Sequence, residues 1–144
     1  MMNLFGVMEL SGSAMGAQRQ RAEVVAANLA NAETTRTDEG GPYRRKQVVF
    51  GSRGPQFRYE LASRQLGAPR GIEVRAVVDD PASPIVRYQP GHPDADSQGF
   101  VAYPNVNPIT EMVDLMSASR SYEANAAAIT AAKQMISQSL DILR

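Results

Sequence analysis

The feature that most constrains the fold is a long segment near the C-terminus that contains no glycine or internal proline. Asn107 is a good helix cap and Pro108 is preorganised for the first helical position. Apolar residues then recur at spacings of three and four, the 3.5-residue period of a coiled-coil seam. We expect a helix of roughly 50 Å. The seam positions are Met112, Leu115, Tyr122, Ala126, Ile129, Ile136, Leu140 and Leu143, interrupted by Ser119 and Lys133.

The N-terminal segment shows the same spacing. Glycines at positions 6, 12 and 16 weaken its first half, because glycine disfavours helix by up to about 1 kcal/mol relative to alanine. We therefore predict a helix that is firm from Met15 to Ala30 and conditional before Met15, ending near Asn31. Its seam positions are Leu4, Met8, Met15, Ala22, Val25 and Leu29, interrupted by Ser11 and Gln18.

The central region contains every proline except Pro108, and short runs with strand character. Residues 72–78 alternate cleanly, and residues 43–50, 56–61, 85–88 and 100–103 are further predicted strands. The fold class predicted is α+β, with the terminal helices paired as an α-helical coiled coil around a small β-rich domain. The predicted boundaries are 1–35 for the N-terminal axial helix, 36–107 for the β-rich domain and 108–144 for the C-terminal axial helix, the two helices forming one discontinuous domain.

Composition excludes several classes of site. The chain has no cysteine, and His92 is its single histidine, so it cannot form a disulfide or a three-histidine metal site. The formal net charge is zero, which gives no overall attraction to nucleic acid or anionic membrane. The first residues lack the basic region of a cleaved secretory signal, and no apolar run reaches about 18 residues. We expect no cofactor, no metal, no nucleic-acid partner and no membrane span.

Charge is unevenly distributed along the chain. The segment from Arg44 to Arg75 is mostly basic, and the segment from Asp79 to Asp114 is mostly acidic. Segments of opposite sign can pair within one chain or between successive subunits. Tyr43, Arg44 and Arg45 are candidate intersubunit polar contacts on this basis.

Catalytic interpretations are weaker than structural ones. Glu111 and Asp114 lie about one turn apart, a spacing that would suit a pair of glycan-hydrolysing carboxylates. Carboxylates near a helix N-terminus also stabilise the helix through its dipole. His92 lies between glycine and proline in a turn, and no Gly-x-Ser-x-Gly elbow accompanies it. We interpret all three residues as structural.

The central region is too short to cover both long helices, so part of each helix should contact another chain. Tyr122 and Glu123 are candidates to tie the second helix to a neighbour. The predicted helical subunit-interface residues are Met15, Val25, Leu29, Met112, Leu115, Tyr122, Ile129, Ile136 and Leu140.

Several segments resemble known sequences. Residues 27–35, Ala-Asn-Leu-Ala-Asn-Ala-Glu-Thr-Thr, resemble the Ala-Asn-x-Ala-Asn-x-x-Thr-Thr signature of bacterial flagellar rod, hook and hook-associated proteins. Residues 41–50, 90–96, 99–108, 111–114 and 117–125 narrow this resemblance to the proximal-rod proteins of the basal body. The residues that carry the motifs are Asn28, Asn31, Thr34, Thr35, Tyr43, Arg44, Arg45, Asn105, Asn107, Glu111, Glu123 and Asn125.

The resemblance implies a non-enzymatic subunit of the flagellar rod, which transmits torque across the periplasm. It implies export by the flagellar type III apparatus without a cleaved signal. Implied partners are other rod proteins, copies of the chain itself, the adaptor between the MS ring and the rod base, and the export apparatus. Two alternatives stay open: a coiled-coil adaptor of the export or basal-body apparatus, and a periplasmic wall-modifying enzyme.

Overall fold

The computed structural model describes residues 4–53 and 71–142. The predicted strand at 56–61 and the seam residue Leu143 lie outside these residues. The element order confirms the α+β prediction. The elements are helix α1 (Leu4–Ala30), strands β1 (Lys46–Ser52), β2 (Ile72–Asp79), β3 (Ile85–Tyr88) and β4 (Phe100–Tyr103), and helix α2 (Pro108–Ile142).

Helix α2 begins where the sequence predicts. The Asn107 side-chain oxygen accepts hydrogen bonds from the backbone N–H groups of Ile109 at 3.0 Å and Thr110 at 3.5 Å. These bonds satisfy donors that have no partner inside the helix. The helix then continues for 35 residues without interruption.

Helix α1 is continuous over 27 residues, including the glycine-containing half that the sequence predicts only conditionally. Ser11 and Ala14 are buried in that half. Tertiary packing therefore compensates for the weak intrinsic helix propensity of the glycines. The helix ends as predicted: both the backbone and side-chain amides of Asn31 donate to the Ala27 carbonyl, at 3.1 and 2.9 Å.

The two helices pack side by side in opposite directions. Asn28, near the end of α1, contacts Glu111 in the first turns of α2, and Arg21 contacts Asp114 farther along. The interface between them consists mainly of small side chains. The buried apolar residues of the two helices are Ala14, Ala17, Val25, Ala118 and Ala132.

The buried face of α2 is not the predicted apolar seam. The buried residues of α2 are Glu111, Ala118 and Ala132. Each lies one position before a position of the predicted 3.5-residue register (112, 119 and 133), so the buried face is rotated by about 100° from the predicted one. Since alanine allows closer approach than methionine or tyrosine, the thin side of α2 faces α1. Consequently the larger seam residues stay accessible: Met112, Tyr122 and Leu140 are exposed, and Leu115, Ile129 and Ile136 are half-buried.

The same packing determines how accessible the predicted interface residues of α1 are to another chain. Val25 is buried within the chain, so it is unavailable to a neighbouring subunit in this conformation. Met15 and Leu29 are half-buried. A heptad pattern alone does not distinguish a face that packs within the chain from one that packs outside it.

Strands β1 and β2 form an antiparallel pair that lies along α1. Asn28 contacts the backbone of Lys46 at one end, and Ser13 Oγ accepts the Ile72 N–H at 2.9 Å at the other. Seven strand residues span about 20 Å, close to the roughly 22 Å between Ser13 and Asn28 on a helix. A bulge between Val49 and Phe50 shifts the register of the pair.

Strands β3 and β4 form a second antiparallel pair, with the predicted bounds. Tyr88 and Phe100 meet edge to face at 5.4 Å, and Val101 and Tyr103 are buried on β4. Gly99 precedes β4 with φ of +83°, and a Cβ there would lie 2.9 Å from the Tyr88 ring. Only glycine fits this turn without strain.

The turn generates a test. Gly99→Ala should lower the free energy of unfolding by about 1–3 kcal/mol, because it combines a left-handed backbone with a steric clash. Gly91→Ala is the matched control, since a Cβ at Gly91 meets nothing within 4 Å. Urea unfolding followed by circular dichroism measures both, and equal stability of the two variants would contradict the assigned geometry.

Candidate assembly site

The most deeply buried polar side chain of α1 is Asn28, which is 0% exposed. Its amide nitrogen donates to the Glu111 carboxylate at 3.0 Å and to the Lys46 carbonyl at 2.8 Å. Its side-chain oxygen accepts from the Tyr43 hydroxyl at 3.0 Å and from the Lys46 N–H at 2.8 Å. All the hydrogen-bonding positions of the amide are therefore occupied.

Glu111 is also 0% exposed, and its other oxygen accepts from Arg45 Nε at 2.7 Å. Burial alone would lower the pKa of Arg45, but the hydrogen bond and charge of Glu111 raise it overall. The guanidinium also lies 3.5 Å from Asp80 and 3.9 Å from Asp114. A buried carboxylate is tolerable only with partners of this kind, since losing them would leave an uncompensated charge.

We call Asn28, Tyr43, Arg45 and Glu111 the buried polar cluster. It joins the end of α1, the segment before β1 and the start of α2. Arg21 extends it through an ion pair with Asp114 at 3.0 Å. Both Glu111 oxygens have partners and neither is accessible to solvent, so the carboxylate fixes elements relative to each other and is not placed to reach a substrate.

The remaining signature residues organise the segment that leaves α1. The Thr34 hydroxyl donates to the Asn31 side chain at 3.1 Å, and the Thr35 hydroxyl donates to Asp94 at 2.8 Å. His92 Nδ1 accepts the Asp94 N–H at 3.1 Å, which gives the histidine a structural role in its turn. The signature thus connects α1 to the β3–β4 pair.

The candidate polar contacts divide into internal and exposed residues. The structure gives Tyr43 and Arg45 partners within the chain, and the intersubunit role predicted for them remains a prediction. Arg44 and Glu123 are exposed, so their predicted intersubunit roles remain predictions.

Two other motif asparagines donate side-chain hydrogen bonds to backbone carbonyls. The Asn105 side chain donates to the Ser83 carbonyl at 3.3 Å, and the Asn125 side chain donates to the Ser121 carbonyl at 2.7 Å.

Sequence reasoning did not identify the contribution of Asp80. It accepts from the Ala82 N–H, from Gln47 and from Arg45, and these contacts lower its pKa. Part of the predicted basic–acidic pairing is therefore intramolecular.

The first turns of α2 carry an apolar stripe on the side opposite α1. Its residues follow the i, i+3, i+4, i+7 spacing of one helix face, about 180° from the face that contains Glu111 and Ala118. Large apolar side chains clustered in this way on a surface mark an interaction site. We call this stripe the α2 ridge; its members are Ile109, Met112, Val113 and Met116, which are 73%, 52%, 55% and 55% exposed.

Within residues 4–53 and 71–142, no group of three or more His, Cys, Asp or Glu side chains is arranged to hold a metal ion. No helix in the same residues is both long enough and apolar enough to cross a membrane.

Comparison with known proteins gives consistent matches over the whole chain. The relatives include the flagellar basal-body rod protein FlgC of Bacillus subtilis, 43% identical over 98% of this chain and 99% of the relative. FlgC of Borreliella burgdorferi is 38% identical over 99% of each chain, and FlgC of Salmonella typhimurium is 40% identical over 98% of each. The chain belongs to the FlgC family. The resemblance to proximal-rod proteins is thereby confirmed.

Two family models match the terminal parts of this FlgC-family chain. The model described as flagella basal body rod protein matches residues 8–36, and the FlgEFG C-terminal rod model matches residues 97–142. The first covers most of α1 and the signature, and the second covers β4 and α2. The matched regions therefore contain Asn28 and Glu111, which meet in the buried polar cluster.

Removing Asn28 tests the cluster. Asn28→Ala leaves the Lys46 backbone groups and one Glu111 oxygen without their partner, and should lower the free energy of unfolding by about 1–3 kcal/mol or more. Asn105→Ala, which removes the same group from an exposed site with one 3.3 Å bond, should cost less than about 0.5 kcal/mol. Chemical denaturation compares the two, and a similar small loss in both would show that the cluster contributes little.

The tyrosine of the cluster gives a pH test. Burial raises the pKa of Tyr43 above its ordinary 10.0, and the charges of Asp79 and Glu111 raise it further. A raised folded pKa means that the stabilisation is complete below about pH 10 and is lost as pH rises through the folded pKa. Tyr43→Phe should therefore be less stable than the parent by about 1 kcal/mol at pH 8, where it lacks the hydroxyl bond to Asn28.

The stability difference between parent and Tyr43→Phe should shrink above pH 10. Unfolding free energies measured from pH 8 to 11.5 test this, with Tyr88→Phe as control because its ring is 66% exposed. A difference for Tyr43→Phe that does not change with pH would contradict the assigned burial.

Proposed function

We propose that the chain is a structural, non-enzymatic subunit of the flagellar basal-body rod, incorporated by lateral packing of its two terminal helices. The FlgC relatives are named as basal-body rod proteins. The observation that carries the assembly mode is the α2 ridge, an exposed apolar face on the side of α2 opposite α1.

Burial of the α2 ridge against another subunit would supply the driving force for assembly. Covering a methionine, isoleucine or valine side chain contributes roughly 1.5–3 kcal/mol. Met135 and Leu140 extend the accessible apolar surface along α2, and Phe5 adds to that of α1. Contacts spread along two long helices suit a shaft under torque, which needs many small interactions rather than one site.

We propose residues 1–35 and 108–144 as one discontinuous helical domain carrying the β-rich domain 36–107. The buried polar cluster supports this division, because it holds the two helices in one register.

The proposed partners are other rod proteins and copies of the chain. The MS-ring/rod-base adaptor and the flagellar type III export apparatus are further proposed partners. The wall-enzyme alternative gains no support, since Glu111 is buried and fully paired. The adaptor alternative gains none either, since the relatives are named as basal-body rod proteins.

The ridge can be tested in cells. In a strain lacking the chromosomal gene, a plasmid-borne parent gene should restore swimming and rods in isolated basal bodies. Met112→Asp should fail to restore either, because it places a charge in the proposed interface, while the stability of the purified monomer stays within about 0.5 kcal/mol of the parent. Met112 is 52% exposed, which separates assembly from folding.

Met112→Leu is the matched control and should restore swimming, since it preserves the apolar volume. Normal rods with Met112→Asp would contradict the role of the ridge. Normal swimming in the strain without the gene would contradict the rod function itself.

A further inference from the structure

The methionines within the described residues differ in their exposure to solvent. Those of α1, Met8 and Met15, are half-buried. Those of α2 are Met112, Met116 and Met135, which are 52%, 55% and 48% exposed. The thioether sulfurs of α2 are therefore more accessible than those of α1 to a small solute in the surrounding water.

Met112 and Met116 are also neighbours. They lie one helical turn apart on the α2 ridge, and within residues 4–53 and 71–142 they are the two most exposed methionines. The chain contains no cysteine, so no thiolate of its own competes with these sulfurs for an electrophilic oxidant. A thioether has no proton to lose before it reacts, so its lone pairs are available at neutral pH.

Hydrogen peroxide is an electrophile that suits a thioether. A sulfur lone pair attacks one peroxide oxygen, and the S–O bond forms as the O–O bond breaks. The departing hydroxide takes the proton from the transferred oxygen and leaves as water. The sulfur loses two electrons and the peroxide gains two. The product is methionine sulfoxide, whose side chain is polar and chiral.

A sulfoxide on the α2 ridge changes the surface of the subunit without changing its interior. More than half of the Met112 and Met116 side chains lies in solvent, so water can hydrate a sulfoxide oxygen there. An apolar partner surface that covers the ridge would instead bury this acceptor without a donor, which opposes association. Sulfoxides disrupt methionine-rich interfaces in this way.

We propose that Met112 and Met116 are a reversible oxidation site for peroxide on the folded, unincorporated subunit, and that their sulfoxides keep the subunit out of the rod. A thiol-dependent methionine sulfoxide reductase reverses the change: two thiols supply two electrons and form a disulfide, and the sulfoxide oxygen leaves as water. The effect on incorporation rests on the proposed rod function, whereas the sites and relative rates of oxidation are properties of the folded chain alone.

The first experiment maps oxidation in the purified full-length chain. Samples are treated with dilute hydrogen peroxide, quenched with catalase and analysed by tandem mass spectrometry. Met112 and Met116 should oxidise several-fold faster than Met8 and Met15, because their side chains are more exposed. In concentrated urea the four rates should converge, since unfolding removes the difference in exposure. Equal rates in the native chain, or loss of helical circular dichroism on oxidation of the ridge pair, would contradict the proposal.

The second experiment measures incorporation in a strain that lacks the chromosomal gene and its methionine sulfoxide reductases. Plasmid-borne parent or Met112→Leu/Met116→Leu genes are induced with and without sublethal peroxide, at a dose for which mass spectrometry detects both sulfoxides in the parent subunit. Rods are counted in isolated basal bodies, and each strain is compared with its own untreated culture. Peroxide should reduce new rods several-fold in the parent and much less in the double variant, because leucine has no sulfur to oxidise.

Met8→Leu is the matched control and should be as sensitive to peroxide as the parent, because it leaves the ridge pair intact. Equal losses of rods in the parent and the double leucine variant, or no loss in the parent despite both sulfoxides, would overturn the proposal and leave the rod function standing. Normal rods in the untreated strain without a plasmid gene would instead overturn the rod function.

A variant that imitates the sulfoxide gives a readout without peroxide. Met112→Gln/Met116→Gln places a polar oxygen on side chains of similar length. Rods should fall several-fold in untreated cells, while the urea midpoint and circular dichroism of the purified variant stay close to those of the parent, because both positions are exposed. Normal rod numbers with this variant would show that polar groups on the ridge do not block incorporation, which overturns the proposal.

Discussion

The arrangement of the whole chain depends on one buried carboxylate, that of Glu111. It is fully shielded from solvent at the start of α2, and its two oxygens are satisfied by Asn28 from α1 and Arg45 from the segment before β1. Moving any of these elements by one helical turn would separate the partners and leave a charge buried without compensation. The cluster therefore specifies register, whereas the surrounding alanine contacts supply proximity with little specificity.

This division of roles explains where the accessible apolar surface lies. Small residues such as Ala118 and Ala132 occupy the face of α2 that packs on α1. The large residues lie on the α2 ridge and on the flank of α2 that carries Leu115 and Tyr122, where another helix can cover them. A chain with methionines and isoleucines between its two helices would have a more stable monomer and less exposed apolar surface for contacts with other chains.

Local features of the fold could be predicted from the sequence. The cap at Asn107, the end of α1 near Asn31 and the strand at 85–88 depend on neighbouring residues, and the structure confirms them. The orientation of the seam was not predictable by the same reasoning. Heptad spacing gives the period of a face, but the choice between the Met112 face and the Glu111 face depends on what each face meets. The partner of Arg45 within the chain was not predictable for the same reason, since Glu111 lies 66 positions away in the sequence.

The alanine interface between the helices has a mechanical consequence. Interlocking large side chains resist sliding, because each knob is trapped in a hole on the facing helix. A contact made of Ala14, Ala17 and Ala132 keeps the helices close but presents smooth surfaces to each other. We therefore expect resistance to axial shear within one subunit to be greatest at the end that contains Asn28 and Glu111, where hydrogen bonds and ion pairs join the two helices.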